Sequence, residues 1–203
     1  MPTSPRYVYP PRPKTTIPPS ILPGYEGKGW FWQLKYDGDR MPSFVDTKTG
    51  SVYLATRRGK FHKMHSHPSI RQELLKLNLP TGSHILDGEF LTPQILVLFD
   101  ILQLKEYLIG WEQSKRWELL QEVCRNPSQK VDDGIAYHVS PHIWLALSGP
   151  DSFAQAYAEY SGHKLIEGLV LRQLASRLDE WGNDEYEVDW QVRCRRPSKH
   201  SRY

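Results

Sequence analysis

The chain has 203 residues, of which 39% are apolar, and its formal net charge is +3 at pH 7. This length and composition suffice for one hydrophobic core with a short appendage. The two cysteines are too few for a disulfide framework, no apolar run approaches the roughly 18 residues of a membrane span, and the N-terminus lacks the apolar segment of a secretory signal. We therefore expect a soluble intracellular protein, with no signal peptide and no membrane partner.

The two ends of the chain differ in composition from its middle. Prolines concentrate in residues 1–24 and predict an extended arm that lies over the body without joining a sheet. Both ends are basic, which suits a phosphate backbone but is also typical of solubilising tails. The expected organisation is an N-terminal arm over 1–24, one domain over 25–196 and a basic tail over 197–203.

Strands are predicted from residue 30 onward. In residues 31–37 the alternation places Gln33, Lys35 and Asp37 on one face. Further strands are predicted at 44–45, 52–54, 84–91, 95–102, 165–171 and 187–195, with a turn at Thr49-Gly50 and a connection near Thr92-Pro93. In the last strand one face is apolar (Val188, Trp190, Val192, Cys194) and the other polar (Asp189, Gln191, Arg193, Arg195).

Three helices are predicted between these strands. Their apolar stripes are Ile70, Leu74 and Leu77 after Pro68, then Trp117, Leu120 and Cys124 within 114–124, then Phe153, Ala156, Tyr157 and Tyr160 before Gly162. Asp151 is expected to cap the third helix. Strands interrupted by helices, with several hairpin-length connections, indicate an α+β domain built on antiparallel sheets.

The segment KYDGDR, residues 35–40, is the first candidate for chemistry. It makes chemical sense if the Lys35 amine attacks a nucleotide phosphate while Arg40 holds the sugar or phosphate. An amine nucleophile must lose its proton, and the ordinary pKa of lysine is near 10.4. A reactive Lys35 is therefore expected in a cleft beside a metal or an arginine. Taken alone, the pattern also fits a solvated lysine on a strand.

Other candidates follow in the same order as the predicted strands. Asp87 and Glu89 are two residues apart, so both are expected to face the cleft, where carboxylates suit ribose hydroxyls or magnesium. Phe99 is a candidate to stack on a base, although taken alone it fits a core phenylalanine better. Glu167 and Arg172 lie near the two ends of one buried strand.

The order of these residues resembles the covalent nucleotidyltransferases, the superfamily of ATP-dependent polynucleotide ligases and messenger-RNA capping enzymes. The resemblance covers residues 30–196 and includes six motifs: motif I at 35–40, Ia at 56–59, III at 86–90, IIIa at 99–100, IV at 167–172 and V at 190–193. DNA ligases are the most similar branch, through the segments that follow motifs Ia and IIIa.

The resemblance implies a fold and a set of roles. The fold is an α+β nucleotidyltransferase (adenylation) domain of twisted antiparallel sheets flanked by helices, with a nucleotide cleft between them. Lys35 is expected to attack the α-phosphate of ATP and form lysyl-AMP, with Mg²⁺ or Mn²⁺ as the metal. Nucleotide contacts are expected from Gln33, Arg40, Glu89, Phe99, Arg172 and Arg193, metal contacts from Glu89 and Glu167, and nucleic-acid contacts from Arg57 and Arg58.

The implied activity is ATP-dependent DNA ligation, which joins 3′-hydroxyl and 5′-phosphate ends of a nicked or broken duplex. One departure from the family is that Gln191 and Arg193 stand where motif V usually offers two lysines; Arg195, Arg172 or Lys164 are candidates to compensate. A second is that the sequence ends soon after motif V, without the oligonucleotide-binding (OB) domain that follows in DNA ligases. Either the basic tails, the nucleic acid or an accessory protein replaces it, or the sequence is a fragment or a reduced form.

Three alternatives remain open at this point. One is an RNA ligase, and another is a GTP-dependent capping-type guanylyltransferase. The third is a catalytically weakened, nucleic-acid-binding remnant, which Gln191 supports best. For the ligase, we expect a slow covalent step and better-preserved sealing of an already adenylated end.

Overall fold

The structure is a computed structural model that describes residues 5–91, 94–178 and 184–196. Its strands, in chain order, are β1 (Arg12–Thr16), β2 (Trp30–Tyr36), β3 (Asp39–Arg40), β4 (Ser43–Asp46), β5 (Ser51–Leu54), β6 (Ser83–Leu91), β7 (Ile95–Leu104), β8 (Glu106–Tyr107), β9 (Ala136–Ser140), β10 (Ile143–Ala146), β11 (Ser148–Gly149), β12 (Ile166–Gln173) and β13 (Glu187–Arg195). The helices are α1 (Pro68–Leu74), α2 (Gln113–Val123) and α3 (Phe153–Tyr160), with 3₁₀ turns at Pro19–Tyr25 and Asp132–Gly134.

The strands form two sheets, which confirms the expected α+β class. The first sheet has the order β1-β13-β12-β2-β11. The second has the order β5-β4-β6-β7-β10-β9, with β3 attached to β6 and β8 attached to β7. The antiparallel expectation holds for most neighbours, but β1 pairs with β13 and β10 pairs with β7 in parallel. Both sheets are therefore mixed.

The N-terminal arm is partly a strand. The expectation that the arm joins no sheet is wrong for Arg12–Thr16, because β1 forms the edge of the first sheet. An edge strand bonds a neighbour on one side only, so Pro13 is tolerated there. Tyr7 and Val8 do lie over the body, packed with Phe44 in a small apolar cluster on the second sheet.

The helices confirm the predicted apolar stripes with two corrections. The side chains of Ile70, Leu74, Leu120 and Phe153 are fully buried, whereas Leu77 lies beyond the end of α1. The expectation that Asp151 caps α3 is wrong, since the capping position is Ser152 and its side chain makes no capping bond. Instead the Phe153 N–H donates to the Glu26 carboxylate at 2.7 Å, so a distant acid satisfies the helix end.

Strand β13 alternates as expected over its second half. Val192 and Cys194 are buried in the main core, while Val188 and Trp190 are only half-buried. The predicted connection at Thr92-Pro93 and the tail at 197–203 lie outside the described residues. None of the helices in the described ranges is long and apolar enough to cross a membrane.

Candidate active site

A cavity of about 300 Å³ lies between the two sheets, where the sequence predicted a nucleotide cleft. Its walls come from β1, β2, β12 and β13 of the first sheet and from β3, β6 and β7 of the second. Nine of the residues selected from the sequence line it together: Gln33, Lys35, Arg40, Arg57, Glu89, Phe99, Glu167, Arg172 and Arg193.

The face of the first sheet that borders the cavity follows from strand alternation. Gln33 and Lys35 are two residues apart on β2, so they project from the same face. The register extends this face over two further strands, with Gly168 and Arg195 in line with Lys35, and Val170 and Arg193 in line with Gln33. The sheet thus presents an amine and two guanidinium groups in neighbouring rows.

Lys35 forms an ion pair inside the cavity. Its Nζ lies 2.5 Å from Glu167 Oε2, and the two side chains are 24% and 25% exposed. Glu167 reaches the amine because β12 has a register shift between Ile166 and Gly168. Burial alone would raise the pKa of Glu167, but the contact with Lys35 holds it below its ordinary value. Arg195 approaches the same carboxylate at 4.0 Å.

Glu89 lies on the opposite wall, on β6. Burial raises its pKa to about 7, although the charges of Lys35 and Arg40 act in the opposite direction. Asp87 and Glu167 raise the pKa further through like-charge repulsion. Near neutral pH the Glu89 carboxyl group is therefore divided between its protonated and ionised forms.

The expectation that Asp87 faces the cleft beside Glu89 is wrong. Asp87 is buried and does not line the cavity, and the register shift beside it leaves Phe99 of β7 as the extra residue, because Asp87 is opposite Asp100 and Gly88 is opposite Leu98. Its carboxylate accepts hydrogen bonds from Arg40, at 2.5 Å from Nη2 and 3.1 Å from Nε. Burial would lower the pKa of Arg40, but Asp87 holds it above its ordinary value. Asp87 therefore fixes the guanidinium that borders the cavity.

Phe99 and Gln33 form the apolar end of the cavity. The Phe99 ring contacts two cations, with its centroid 5.6 Å from Arg40 Cζ and 5.3 Å from Arg172 Cζ. Gln33 Nε2 donates to the Phe99 carbonyl at 3.2 Å. This bond leaves Gln33 Oε1 buried and without a hydrogen-bond partner in the part of the chain that the structure describes. An aromatic ring and a free acceptor suit a base that carries an exocyclic amine.

Asp100, directly after Phe99, is the centre of a buried network that sequence reasoning missed. Its carboxylate accepts from Arg116 on α2 and from Arg172 on β12, each at 3.1 Å. Gln113 Oε1 accepts from the same two side chains at 2.7 and 3.2 Å. Burial lowers the pKa of Arg172 to about 10, although Asp100 opposes the change. Arg116 is fully buried, whereas an arginine in a helix pattern is placed at the surface by default.

Motif V and the N-terminal strand meet at one edge of the cavity. Arg193 Nε donates to Thr16 Oγ1 at 2.7 Å. Gln191 lines the cavity and is 1% exposed, and its Nε2 has no hydrogen-bond partner among the described residues. Arg12 and Pro13 also line the cavity. Sequence reasoning assigned Arg12 only to a basic arm, because a proline-rich segment gives no signal of sheet pairing.

Arg58 lies outside the main cavity. It lines a second cavity of about 400 Å³ with His62 and His67. The two cavities adjoin, because three residues line both: Asp39, Arg40 and Arg57. The side chains of Arg57 and Arg58 are exposed and make no ion pair within the described ranges. They are available to an anionic partner that reaches the mouth of the main cavity.

A metal ion at this site would need coordinating atoms from a bound ligand in addition to protein side chains. Within the described residues, no group of three or more Asp, Glu, His or Cys side chains is arranged to hold a metal ion. Glu89 and Glu167 both border the cavity. Magnesium commonly takes one or two protein carboxylates and completes its shell with water and substrate phosphates. The pair therefore fits Mg²⁺ or Mn²⁺ when a nucleotide is also bound.

Solved structures share this architecture. Mycobacterial DNA ligase D complexed with ATP and MES matches with a TM-score of 0.65 and 20% identity, over 91% of this chain and 59% of that one. The ligase domain of M. tuberculosis LigD matches with a TM-score of 0.63 and 20% identity, over 89% and 59%. The chain has the fold of a DNA-ligase adenylation domain.

A third structure with the adenylation-domain fold is a Lig E DNA ligase, from work on DNA binding with a minimal scaffold. It matches with a TM-score of 0.56 and 13% identity, over 92% of this chain and 69% of that one. No protein-family model matches the sequence, and no curated protein is significantly similar to it. The chain spans 59% of the length of each of the two ligase D chains.

Proposed function

We propose that the protein is an ATP-dependent DNA ligase-type nucleotidyltransferase that works through a covalent lysyl-AMP intermediate. The observation that carries the proposal is the position of Lys35, whose amine borders the cavity between the sheets, paired with Glu167. The fold supports the same reaction, because one ligase that shares it is complexed with ATP.

In the first step the Lys35 amine attacks the α-phosphorus of ATP. A nitrogen–phosphorus bond forms, the bond to the bridging oxygen breaks, and pyrophosphate leaves. The amine must lose a proton, and Glu167 Oε2, 2.5 Å from Nζ, is an acceptor within reach. Arg195 lies in the same row as Lys35 and Arg193 in the row of Gln33, and both would offset the charge that develops on the α-phosphate.

The other cavity residues bind and orient the nucleotide in this proposal. Phe99 stacks on the base, and Gln33 Oε1 accepts a hydrogen bond from the exocyclic amine of adenine. Guanine has a carbonyl oxygen at that position, so two acceptors would face each other, which favours ATP over GTP and disfavours the capping-type alternative. Arg40 and Glu89 hold the ribose, and Arg172 keeps the Phe99 ring in place through their contact at 5.3 Å.

Glu89 and Glu167 are the residues that would hold Mg²⁺ or Mn²⁺. The ion would supply positive charge at the phosphates. Its binding requires an ionised Glu89, which the raised pKa of that group makes dependent on pH near 7.

The nucleic acid would approach from the second cavity. Arg57 and Arg58 are exposed beside it and would bind phosphates of a nicked or broken duplex. AMP then passes from Lys35 to the 5′-phosphate, and the 3′-hydroxyl displaces AMP to join the ends. DNA is the proposed substrate, in keeping with the ligases of the same fold; an RNA substrate and an accessory protein remain predictions from the sequence.

The first step is tested with ATP and GTP labelled at the α-phosphate, incubated with the protein and Mg²⁺ and followed by denaturing electrophoresis. We expect label on the protein with ATP and little with GTP. Lys35→Arg keeps the positive charge but has no usable nucleophile, so it should remain unlabelled. Label that persists in Lys35→Arg and Lys35→Ala would refute the assignment of Lys35.

The substrate is tested by competition between nicked DNA and nicked RNA duplexes of the same sequence, each already adenylated at the 5′ end. We expect DNA to be sealed faster. Arg57→Ala and Arg58→Ala should reduce sealing of both duplexes and flatten its dependence on salt, while lysyl-AMP formation changes little. Faster sealing of RNA would favour the RNA ligase alternative.

A further inference from the structure

The N-terminal strand β1 is part of the cavity wall. Arg12 and Pro13 line the cavity, and β1 is bound along its length to β13. The segment also reaches the opposite wall, because the Pro11 carbonyl accepts a hydrogen bond from Arg40 Nη1 at 3.0 Å. A segment predicted from the sequence as an extended, basic arm therefore contacts both walls.

Arg12 is held in place and keeps donors for a further partner. Its Nη1 lies 2.9 Å from Glu185, and its Nη2 lies 3.8 Å from Glu187, beyond hydrogen-bond distance. Its Nε is buried and makes no hydrogen bond within the described ranges. Burial and the charges of Arg195 and Arg12 lower the pKa of Arg193, so these guanidinium groups repel one another in the absence of an anion.

Three other cations of the cavity are paired with carboxylates, as Arg12 is with Glu185. Lys35 contacts Glu167, while Arg40 and Arg172 are bound to the buried Asp87 and Asp100. At the position where a lysine is expected from motif V, the buried side chain is the neutral Gln191. Strand β13 has a bulge at Gln191, where residues 189–191 lie opposite the single residue Lys14 of β1. Strand β1, which carries Arg12, is the neighbour of β13 at Gln191.

We propose that β1 completes the nucleotide site: Arg12 binds a phosphate group of the nucleotide in place of the missing motif V lysine. Thr16 is a positioning residue in the same arrangement, because its hydroxyl accepts from Arg193 Nε at 2.7 Å and directs that guanidinium. The inference rests on the proposed function of the cavity as an ATP site. It gives the arm a role in nucleotide binding that differs from the nucleic-acid role expected of a basic end.

The test is calorimetric binding of α,β-methylene-ATP and of adenosine to the full chain with Mg²⁺. The methylene analogue cannot transfer AMP to lysine, and adenosine reports on the base and ribose contacts alone. Arg12→Ala should weaken binding of the analogue about tenfold, because charge-assisted hydrogen bonds are lost. Binding of adenosine should stay within about twofold, since adenosine has no phosphate.

Lys14→Ala is the matched control. Lys14 lies on the same strand and pairs with Asp189 at 3.6 Å, but its side chain does not line the cavity. It should change binding of the analogue less than twofold, as expected for an exposed ion pair. Equal losses in Arg12→Ala and Lys14→Ala would overturn the assignment of Arg12.

Two further variants separate phosphate binding from a structural role. Arg12→Lys keeps the charge and should keep most of the affinity for the analogue. Adding Gln191→Lys to Arg12→Ala should restore binding if the two positions serve the same phosphates. Absence of rescue in a variant with the melting temperature of the wild type would count against the proposal.

Thr16 is tested by two substitutions that differ in one group. Thr16→Val preserves the shape of the side chain and removes the hydroxyl, whereas Thr16→Ser keeps the hydroxyl. We expect Thr16→Val to weaken binding of the analogue about threefold and Thr16→Ser to match the wild type. Identical affinities in the two variants would exclude positioning of Arg193 by this hydroxyl.

Failure of the proposed function is distinguishable from failure of this inference. Wild-type protein that binds the analogue but forms no lysyl-AMP with ATP would refute the first and leave the second intact. If the wild type forms lysyl-AMP but Arg12→Ala binds the analogue with full affinity, the inference about Arg12 is refuted and the proposed function stands.

Discussion

Glu89 is expected to make the stability of the folded protein fall as the pH rises through neutrality. Burial raises its pKa from 4.5 to about 7, with Asp87 and Glu167 adding to the effect and Lys35 and Arg40 opposing it. Between these two pH values the folded chain holds a proton that the unfolded chain has released. The stabilising contribution of the protonated form is therefore complete below about pH 4.5 and is lost as the pH rises to about 7.

The size of the effect follows from the same pKa. A rise from 4.5 to about 7 corresponds to about 3 kcal/mol, at 1.36 kcal/mol per pKa unit. The side chain is only half-buried, so solvent screening reduces this to about 1–2 kcal/mol. Glu89→Gln keeps the shape of the side chain and removes the ionisation. We expect this variant to be as stable as the wild type near pH 4 and about 1–2 kcal/mol more stable at pH 8.

The assay is urea unfolding of both proteins at pH 4, 6 and 8 at constant ionic strength, without nucleotide or divalent metal. Subtracting the two free energies of unfolding at each pH removes the contribution of every other titrating group. A difference that is constant across the range, or that favours the wild type at pH 8, would refute the reasoning. Lysyl-AMP formation should show the opposite trend in the wild type, rising through about pH 7, because ionised Glu89 is the form that holds metal and ribose.

Three substitutions test other parts of the site. Asp100→Asn leaves the buried Arg116 without a carboxylate partner and should cost about 3–5 kcal/mol in urea unfolding. Gly168→Ala should destabilise the protein by more than about 2 kcal/mol and reduce lysyl-AMP formation, since an added Cβ would lie 2.0 Å from the Cys194 carbonyl oxygen at φ +146°. Gln33→Ala should lower ATP affinity and reduce the preference for ATP over GTP, measured by competition for labelling of the protein.

Local alternation was enough to predict much of the fold. The strands β2, β6, β7, β12 and β13 and the three helices occur within a few residues of their predicted positions. Each of these elements buries apolar residues in the core, and β6 and β7 are buried on both faces over most of their length, because a strand or helix that borders the core must present apolar side chains to it. The order of the motifs along the chain was then enough to select residues that line one cavity, since the strands that carry these residues meet there.

The missed features depend on interactions between distant residues. β1 was not predicted because its pairing with β13 is parallel and joins residues about 175 positions apart, and no local pattern encodes such a pairing. Asp87 was expected in the cleft because alternation places it on the same face as Glu89. Its carboxylate is instead buried in a pairing with Arg40, a residue 47 positions away, and no local pattern in the sequence shows such a pairing.

The same distinction explains which charges of the site were predictable. Lys35 and Glu89 project into the cavity from regular strands, so short motifs were enough to identify them, whereas Glu167 reaches it through a register shift in β12. The residues that hold the guanidinium groups of the cavity are fixed by tertiary contacts: Asp100 pairs with Arg172 and with an arginine of α2 that looks like a surface residue in its own segment. A cavity that binds a highly charged ligand needs both sets, because a guanidinium without a fixed partner would not keep one orientation. Substitutions in the holding residues are therefore expected to reduce nucleotide affinity without touching the nucleotide.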